Sequence, residues 1–279
     1  MKIDGNLYAK KIEDTVKKHI EEIIQEGVTP QLAVIIVGDD KASHLYVKKK
    51  KEACERVGII FKKIEFPEIA DENDIVNEIE KLNNDDSVYA MLVQLPLPKN
   101  MNEPRVLSSI DPKKDVDCLT YSNYGSLLHG DEHIVPCTSL AVIKLIENIA
   151  EIAGKHVVII NRSIIGKSLA CMMLNRHATV TICHSKTKPL EEYTRKADIL
   201  ISATGRKNLI DADMIKDDSI VIDVGISYTD GDLHGDVDFD SVKEKAKYVT
   251  PVPGGVGPVT VSMLLYNMVQ LLKQKHLNL

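Results

Sequence analysis

Short apolar runs alternate along this chain with segments of helical periodicity, and this alternation restricts its fold more than any other feature. The runs include LAVIIVG, VYAMLV, HVVII, TVTIC and SIVIDVG. They are rich in β-branched residues and far too short to span a bilayer. Strands that are apolar on both sides need helices over both faces, as in parallel sheets. The sequence therefore predicts an α/β protein, and its 279 residues allow two domains.

Composition excludes several classes of partner. The formal net charge of -6 and the absence of tryptophan argue against a nucleic-acid surface, which would be basic and offer stacking platforms. The N-terminal stretch has no apolar core of the kind that a signal peptide carries. The five cysteines are scattered, and no His/Cys/Asp group has metal-ligand spacing. We expect a cytoplasmic protein with reduced thiols, no structural metal, and no nucleic-acid or membrane partner.

The stretch from Ala42 to Gly58 contains the strongest catalytic candidate, Lys50. In a helix, this stretch has one apolar face, formed by Ala42, Tyr46, Ala53, Cys54 and Val57. Lys50 falls inside that face. The lysine is then either snorkelling or held in a partly dry site, where its amine would suit acid–base work near neutral pH. This stretch alone leaves both open. Because the carboxyl ends of parallel strands meet at one edge, Lys50's helix and Gln94 should meet there.

Three carboxylates, Asp111, Asp115 and Asp117, follow within a polar segment. This segment, from Asp111 to Gly130, loses the periodic pattern, and we interpret it as the first crossing between domains. Turn formation or helix capping is the ordinary role of such aspartates, and for Asp111, which precedes a proline, we prefer it.

A second α/β segment begins at Gly154 and contains a candidate dinucleotide site. A strand is followed by the turn Asn161 to Gly166 and then by a helix, the arrangement that binds a pyrophosphate at a helix N-terminus. The turn is not G-x-G-x-x-G, so an ordinary βα turn is nearly as compatible. The next strand end, Cys183 to Thr187, has no acid for a ribose 2′-hydroxyl. With Arg162 in the turn, this favours NADP over NAD.

The loop from Thr250 to Pro258 is rich in glycine and proline. It is typical of an interdomain hinge, and it also suits a preset backbone wall for a flat ligand, because glycines allow close approach. The two interpretations are compatible. An apolar helix from about Val259 to Lys275 follows.

Several motifs, in order along nearly the whole chain, resemble one known family. They are Ser43-x-x-Tyr46-x-x-x-Lys50, Val93-Gln94-Leu95-Pro96-Leu97-Pro98, Asp115-Val116-Asp117, Pro136-Cys137-Thr138, His184-Ser185-x-Thr187, Ala203-Thr204-Gly205, Asp223-Val224-Gly225-Ile226, Gly235-Asp236-Val237 and the loop Thr250 to Pro258. Together they are similar to the bifunctional methylenetetrahydrofolate dehydrogenase/methenyltetrahydrofolate cyclohydrolase family. The Thr250 loop and the Tyr46/Lys50 pair are the most specific.

The resemblance implies an architecture as well as a chemistry. It implies an N-terminal α/β substrate domain (residues 1–119 plus 259–279) and a Rossmann-like NADP domain (residues 120–258), with a cleft between them and a homodimer. It also implies that 5,10-methylenetetrahydrofolate is oxidised with NADP and that the methenyl product is hydrolysed to 10-formyltetrahydrofolate. A dehydrogenase-only member and a non-catalytic NADP-binding regulatory module are the alternatives.

The resemblance also implies roles for individual residues. Lys50 would handle the proton transfers of hydrolysis, with Gln94 hydrogen-bonded to it, while Tyr46 stacks on the folate and Asp117 binds the pterin. The remaining substrate contacts would be Ser43, Pro253, Gly254 and Gly255. The cofactor contacts would be Asn161, Arg162, Ser163, Gly166, Ser185, Thr204, Gly205 and Ile226.

The chain departs from the family pattern at three places. Cys118 replaces the usual glycine after D-V-D, and Ser139-Leu140-Ala141 replaces the P-x-G that follows P-C-T. The G-R-S-x-x-V-G turn is one residue shorter and starts at Asn161. These changes affect backbone geometry and the pose of the cofactor, not the proton-transfer residues.

Overall fold

The chain forms two compact units in a computed structural model that describes residues 1–229 and 232–277. The Lys50 unit comprises Lys10–Cys137 and Val261–Leu279, and the Asn161 unit comprises Met1–Ala9 and Thr138–Thr260. The predicted domain ranges also include residues 230–231 and 278–279, which lie outside the described residues.

Helices and strands alternate as the sequence predicts. The helices are α1 (Gly5–Gln25), α2 (Lys41–Val57), α3 (Glu72–Asn83), α4 (Glu103–Ser108), α5 (Tyr121–Leu128), α6 (Cys137–Glu147), α7 (Ile164–Leu174), α8 (Glu191–Thr194), α9 (Phe239–Val242) and α10 (Val256–Leu277), with a 3₁₀ turn at Ala212–Met214. The strands are β1 (Gln31–Val37), β2 (Ile60–Phe66), β3 (Ala90–Val93), β4 (His156–Ile160), β5 (Thr179–Cys183), β6 (Ile199–Ser202), β7 (Ile220–Asp223), β8 (Ser227–Thr229), β9 (Asp232–His234) and β10 (Tyr248–Val249).

The Lys50 unit is built on a parallel sheet with the strand order β2-β1-β3. Every residue of β3, and every residue of β1 after Gln31, is buried, which explains their continuous apolar sequences. Residues 114–116 extend the sheet beyond β3, since Met91 N donates to Lys114 O at 2.7 Å and Met91 pairs with Asp115. The strands β1, β2 and β3 and residues 114–116 therefore all end at one edge.

Local caps set the bounds of α2 and α3. Asp40 accepts a hydrogen bond from Ser43 N at the start of α2, and Gly58 ends it with a φ of 88°. Asp71 caps α3, because its side chain accepts a hydrogen bond from Asn73 N. These ends were predictable because each depends on neighbouring residues only.

The Asn161 unit contains a five-stranded parallel sheet with the order β10-β7-β6-β4-β5. The chain runs from β4 through α7 to the edge strand β5, and then returns to place β6 on the other side of β4. The strand order reverses at this point, so the carboxyl ends of β4 and β6 flank a topological switch point. Doubly wound sheets bind ligands at such switch points.

The unit boundary differs from the predicted one. Residues 120–137 belong to the Lys50 unit, because the buried Asn267 amide donates to Val116 O and Val135 O, both at 2.9 Å. The polar segment read as a crossing also contains α5, which Thr120 caps. Residues 1–9 belong to the Asn161 unit, where Ile3 N donates to Val249 O at 2.9 Å.

The last helix starts earlier than predicted. It begins at Val256 rather than about Val259, so part of the Gly/Pro loop is helical. Pro258 is tolerated there because the first turn of a helix does not use its N–H groups. Within the described residues, the structure has no helix that is both long and apolar enough to cross a membrane.

The end of α7 gives a prediction about stability. His177 is exposed and adopts the left-handed conformation, with a φ of 60°, while Ala178 N donates to Met173 O at 3.1 Å. A glycine has no Cβ strain in this conformation. We expect His177→Gly to raise the free energy of unfolding by about 1 kcal/mol, measured as a higher urea midpoint by circular dichroism.

Lys167→Gly is the matched control for this substitution. Lys167 is exposed on the same helix in right-handed geometry, so glycine there should lower the urea midpoint. Equal effects of the two substitutions would contradict the argument.

Candidate functional site

Lys50 and Gln94 meet at the carboxyl edge of the sheet in the Lys50 unit. Gln94 follows β3, and its N–H donates to Ile35 O of β1 at 2.8 Å. Lys50 Nζ donates to Gln94 Oε1 at 2.9 Å, while Gln94 Nε2 donates to Leu95 O at 2.7 Å. The bond to Leu95 fixes the orientation of the amide, so its oxygen faces the amine. The expected meeting of these two residues is confirmed.

Lys50 lies at the edge of the buried face of α2 rather than within it. The fully buried positions of the helix are Ser43, Val47, Ala53, Cys54 and Val57. Tyr46 and Lys50 are half-buried and lie beside this face, one turn apart. The buried face thus differs from the predicted one at its N-terminal end. It contains Val47, whereas Ala42 and Tyr46 are only half-buried. A half-buried amine can hold a fixed contact with Gln94 and still reach a bound molecule.

The Tyr46 ring and Ser43 occupy different surroundings on this helix. The Lys49 amine lies 5.8 Å from the centroid of the Tyr46 ring. Ser43 is 5% exposed, and its N–H donates to Asp40 Oδ2 at 2.8 Å. That bond lowers the pKa of the Asp40 carboxyl, together with the Ser43 side chain. Ser43 thus stabilises the start of the helix that carries Tyr46, and its contact with substrate stays a prediction.

The two aspartates of the D-V-D motif have different surroundings. Asp115 is buried and accepts from Leu119 N, Thr120 N and Oγ1, and Asn123 Nδ2, all within 3.0 Å. Burial raises the pKa of Asp115 despite these donors. Asp117 is half-buried and accepts from Cys137 N at 3.0 Å. Asp115 is therefore a structural residue, and Asp117 is the one open to a ligand.

Asp117 and Lys50 have opposite effects on one buried thiol, that of Cys137. The pKa of the Cys137 thiol is raised by burial and further by the Asp117 carboxylate, while the charge of Lys50 opposes the shift. Both charged groups therefore act on one thiol. Burial likewise raises the pKa of Cys54 to about 12, with Lys50 again opposing it. Lys50, Gln94 and Asp117 are all half-buried.

Cys118, which follows Asp117, has the backbone conformation that favours glycine. Its φ is 55°, and its side chain is fully buried. The resemblance led us to expect glycine here, and the left-handed conformation explains that preference. The departure at Cys118 therefore changes the side chain without changing the path of the backbone.

In the Asn161 unit, the predicted cofactor residues gather at the switch point. Asn161 follows β4, and its Nδ2 donates to Ala203 O, which follows β6, at 2.5 Å. Its Oδ1 accepts from Ser163 N at 2.6 Å and from Gly166 N at 3.2 Å. The side chain of Asn161 thus closes the shortened turn internally. Asn161 orders the turn, and its direct contact with a cofactor stays a prediction.

Other predicted cofactor residues surround this turn. Arg162 and Ser163 are exposed at the N-terminus of α7, although Ser163 Oγ also donates to Asn161 Oδ1 at 2.7 Å. Gly166 has no room for a side chain, because a Cβ would lie 2.1 Å from Asn161 O. Ser185 is exposed after β5, in a turn where Thr187 N donates to His184 O at 2.8 Å. An accessible helix N-terminus and an acid-free strand end fit a dinucleotide that carries a 2′-phosphate.

The loops after β6 and β7 are fixed by two buried aspartates, Asp223 and Asp236, which we noted only as parts of motifs and gave no predicted role. Thr204 N donates to Asp236 Oδ2 at 2.6 Å, and Gly225 N donates to Asp223 Oδ1 at 3.0 Å. Thr204, Gly205 and Ile226 are thus attached to the sheet through these carboxylates. Their sequence motifs, D-V-G and G-D-V, gave a clue, but an aspartate beside a glycine usually indicates a turn.

Packing within the unit explains Gly255 of the Thr250 loop, and a φ of 96° explains Gly254. Gly5 N donates to Gly254 O at 2.9 Å, and a Cβ on Gly5 would lie 1.8 Å from Gly255 O. A Cβ on Gly255 would lie 2.4 Å from Pro251 O. We expected these glycines to allow a ligand to approach the backbone closely; in the structure, the N-terminal segment at Gly5 lies that close to it. The contacts of Pro253, Gly254 and Gly255 with substrate stay predictions.

Within residues 1–229 and 232–277, no group of three or more His, Cys, Asp or Glu side chains is placed to hold a metal ion.

Comparison with known proteins identifies two family domains in this chain. Residues 3–117 match the model described as tetrahydrofolate dehydrogenase/cyclohydrolase, catalytic domain. Residues 136–276 match the model described as tetrahydrofolate dehydrogenase/cyclohydrolase, NAD(P)-binding domain. A curated relative from Halalkalibacterium halodurans, bifunctional protein FolD, is 48% identical over 274 residues, covering 98% of each chain.

Solved structures agree with this match. The bifunctional enzyme FolD from Campylobacter jejuni is 44% identical, with a TM-score of 0.96 over 99% of each chain. The FolD of Trypanosoma brucei, solved with NADP cofactor and inhibitor, is 38% identical, with a TM-score of 0.94. That comparison covers 99% of this chain and 98% of the other. The two-domain α/β fold is therefore confirmed.

Proposed function

This chain belongs to the tetrahydrofolate dehydrogenase/cyclohydrolase family, and we propose from that premise that it carries out both reactions. It oxidises 5,10-methylenetetrahydrofolate with NADP, and it hydrolyses the methenyl product to 10-formyltetrahydrofolate. The observation that carries the proposal is the hydrogen bond from Lys50 Nζ to Gln94 Oε1. A dehydrogenase alone needs no such amine held at the edge of its sheet.

Lys50 performs the proton transfers of the hydrolytic step in this proposal. Water adds to the methenyl carbon, and its proton passes to the Lys50 amine. The same amine returns a proton to the ring nitrogen that leaves when the five-membered ring opens, and the remaining hydroxyl proton is released to solvent as the formyl C=O forms. Gln94 supports this exchange, because its oxygen anchors one N–H of the amine and its own amide is fixed by Leu95.

The folate is bound by other groups of the Lys50 unit. Tyr46, one turn before Lys50 and half-buried, offers a ring face for stacking against the pterin. Asp117 is half-buried beside the Cys137 amide and accepts hydrogen bonds from the donor edge of the pterin. A stacked and hydrogen-bonded pterin would bring its one-carbon bridge towards the amine.

The Asn161 unit provides the residues that hold NADP. When bound, NADP accepts the hydride from the one-carbon bridge. Arg162 and Ser163 at the N-terminus of α7 would bind phosphate oxygens, and Ser185 lies after β5, where the ribose phosphate is expected. The amides around Thr204, Gly205 and Ile226 would line the switch point. The absence of a carboxylate from residues 184–187 removes the repulsion that a 2′-phosphate would otherwise meet.

We further propose a cytoplasmic homodimer. β5 is the edge strand of its sheet, and Ile182 on it and Leu174 on the adjacent α7 are 40% and 58% exposed. An unpaired strand edge with exposed apolar side chains is a common basis for pairing two copies. The five free cysteines, four of them buried, are typical of proteins from a reducing compartment.

The role of Lys50 gives the first functional prediction. Lys50→Gln removes the titratable amine but keeps a polar, hydrogen-bonding side chain, so hydrolysis of methenyltetrahydrofolate should fall at least 100-fold, as loss of a general acid–base group does. The loss of methenyl absorbance measures this rate, and circular dichroism checks the fold. Lys51→Gln is the control, because Lys51 is exposed and pairs with Glu55 at 3.7 Å. Unchanged hydrolysis in folded Lys50→Gln would refute the role.

Cofactor choice gives the second prediction. We expect kcat/KM to be at least 10-fold higher with NADP than with NAD, because the end of β5 lacks an acid. Ser185→Asp should reduce this preference by repelling the 2′-phosphate, whereas Ser185→Asn, similar in size but uncharged, should largely retain it. Initial rates of cofactor reduction give both values. Equal turnover of the wild type with NAD would refute the preference.

The oligomeric state gives the third prediction. Light scattering should give twice the chain mass of 31.0 kDa for the wild type. Ile182→Lys, which places a charge on the exposed face of β5, should give a single chain mass. A monomeric wild type would contradict the homodimer.

A further inference from the structure

Two buried aspartates, Asp223 and Asp236, lie behind the loops that we propose for cofactor binding. Asp223 ends β7, and Asp236 follows β9. They are 2% and 0% exposed, so neither touches solvent or a bound molecule directly. We propose that Asp236 is a positioning residue for NADP, which holds the loop after β6 in its binding conformation, and that Asp223 fixes Asp236. This inference rests on the proposed binding of NADP.

Asp236 holds both sides of Gly205. Its Oδ2 accepts from Ser202 Oγ and from Thr204 N, both at 2.6 Å. Its Oδ1 accepts from Arg206 N at 2.8 Å. The peptide groups on either side of Gly205 are therefore fixed to one carboxylate. Gly205, with a φ of 68°, is exposed between these two anchors.

Asp223 fixes the segment that carries Asp236. Its Oδ1 accepts from Asp236 N at 3.0 Å, and its Oδ2 accepts from Val237 N at 2.9 Å. The Asp223 N–H donates to Thr250 Oγ1 at 2.7 Å, at the start of the Gly/Pro loop. The segments after β6, β7 and β9 are thus connected through two carboxylates, and the backbone N–H of Asp223 adds the start of the loop after β10.

Two glycines leave the space that these carboxylates occupy. A Cβ on Gly225 would lie 2.0 Å from Asp236 Oδ1, and a Cβ on Gly235 would lie 1.9 Å from Asp223 Oδ2. Each glycine is thus paired with the aspartate of the other motif. The D-V-G and G-D-V motifs therefore pack against each other. The glycine of each motif leaves room for the aspartate of the other, which an isolated turn would not require.

The cost of burying these carboxylates supports a role in positioning. Within the described residues, neither is paired with a lysine or arginine; backbone and hydroxyl donors satisfy both. Burial raises the pKa of Asp223 to about 7, and the nearby Asp236 carboxylate adds to this shift. Well-packed apolar residues in place of these aspartates would stabilise the fold at a lower desolvation cost. What these acceptors provide is a rigid arrangement of backbone amides at the switch point.

Asp236→Asn tests the proposal in the full-length protein. The amide nitrogen of asparagine must face a backbone N–H, so one side of the Gly205 loop loses its anchor. We expect the Kd for NADP, from isothermal titration calorimetry, and the KM for NADP to rise at least 10-fold, with kcat within about 3-fold of the wild type. Hydrolysis of methenyltetrahydrofolate without NADP should stay within about 2-fold, because Lys50 and Gln94 lie in the other unit. A general loss of folding would reduce both activities together.

The controls separate the possible failures. Asp238→Asn should match the wild type, because Asp238 makes no side-chain cap bond to α9. If the wild type itself fails to bind NADP, the proposed function fails. If the wild type binds and folded Asp236→Asn binds equally well, the positioning role is refuted. Should Asp236→Asn not fold, Ser202→Ala decides, since it removes one bond to Asp236. A Kd raised about 3-fold or more would support the role, and an unchanged Kd would refute it.

Discussion

The parallel direction of the strands is the constraint on which both candidate sites depend. In a parallel sheet every strand ends at the same edge, and the residues that follow are brought together even when they are distant in sequence. Gln94 follows β3 and meets Lys50 on the helix after β1. Asn161 follows β4 and binds Ala203 after β6. The same geometric rule thus brings an amine and an amide together in one unit and orders the turn after β4 in the other.

The two units handle buried charge in a similar way. Asp115 in the Lys50 unit and Asp236 in the Asn161 unit are both removed from solvent, and both are surrounded by backbone and hydroxyl donors. In each case the buried carboxylate fixes a loop, and a more accessible residue of that region is available to a ligand. Asp117 plays that accessible part in one unit, and Thr204 does so in the other. The buried carboxylates of Asp115 and Asp236 thus fix the loops, and the half-buried Asp117 and Thr204 remain accessible to a ligand.

Features that depend on neighbouring residues, such as helix ends, could be predicted from the sequence. The ends of α2 and α3 depend on Asp40, Gly58 and Asp71, each acting within a few residues, so they could be identified without the fold. The meeting of Lys50 with Gln94 followed from the logic of parallel sheets. The unit boundary could not be predicted in this way, because the bonds from Asn267 to segments more than 130 residues away hold it in place. Asp223 and Asp236 were missed for the same reason, since a buried aspartate looks like a turn residue until its distant donors are known.

The contact between Gly5 and the Gly254–Gly255 turn has a consequence for how sequence variation in this chain is interpreted. The two segments lie at opposite ends of the chain, and the carbonyl of Gly255 occupies the space where any side chain at position 5 would begin. Position 5 should therefore tolerate other amino acids as poorly as a catalytic position does, although no reacting group lies there. Intolerance at Gly5 would reflect the fit between two stretches of backbone, and a map of invariant positions would place it, without justification, among the residues that touch substrate.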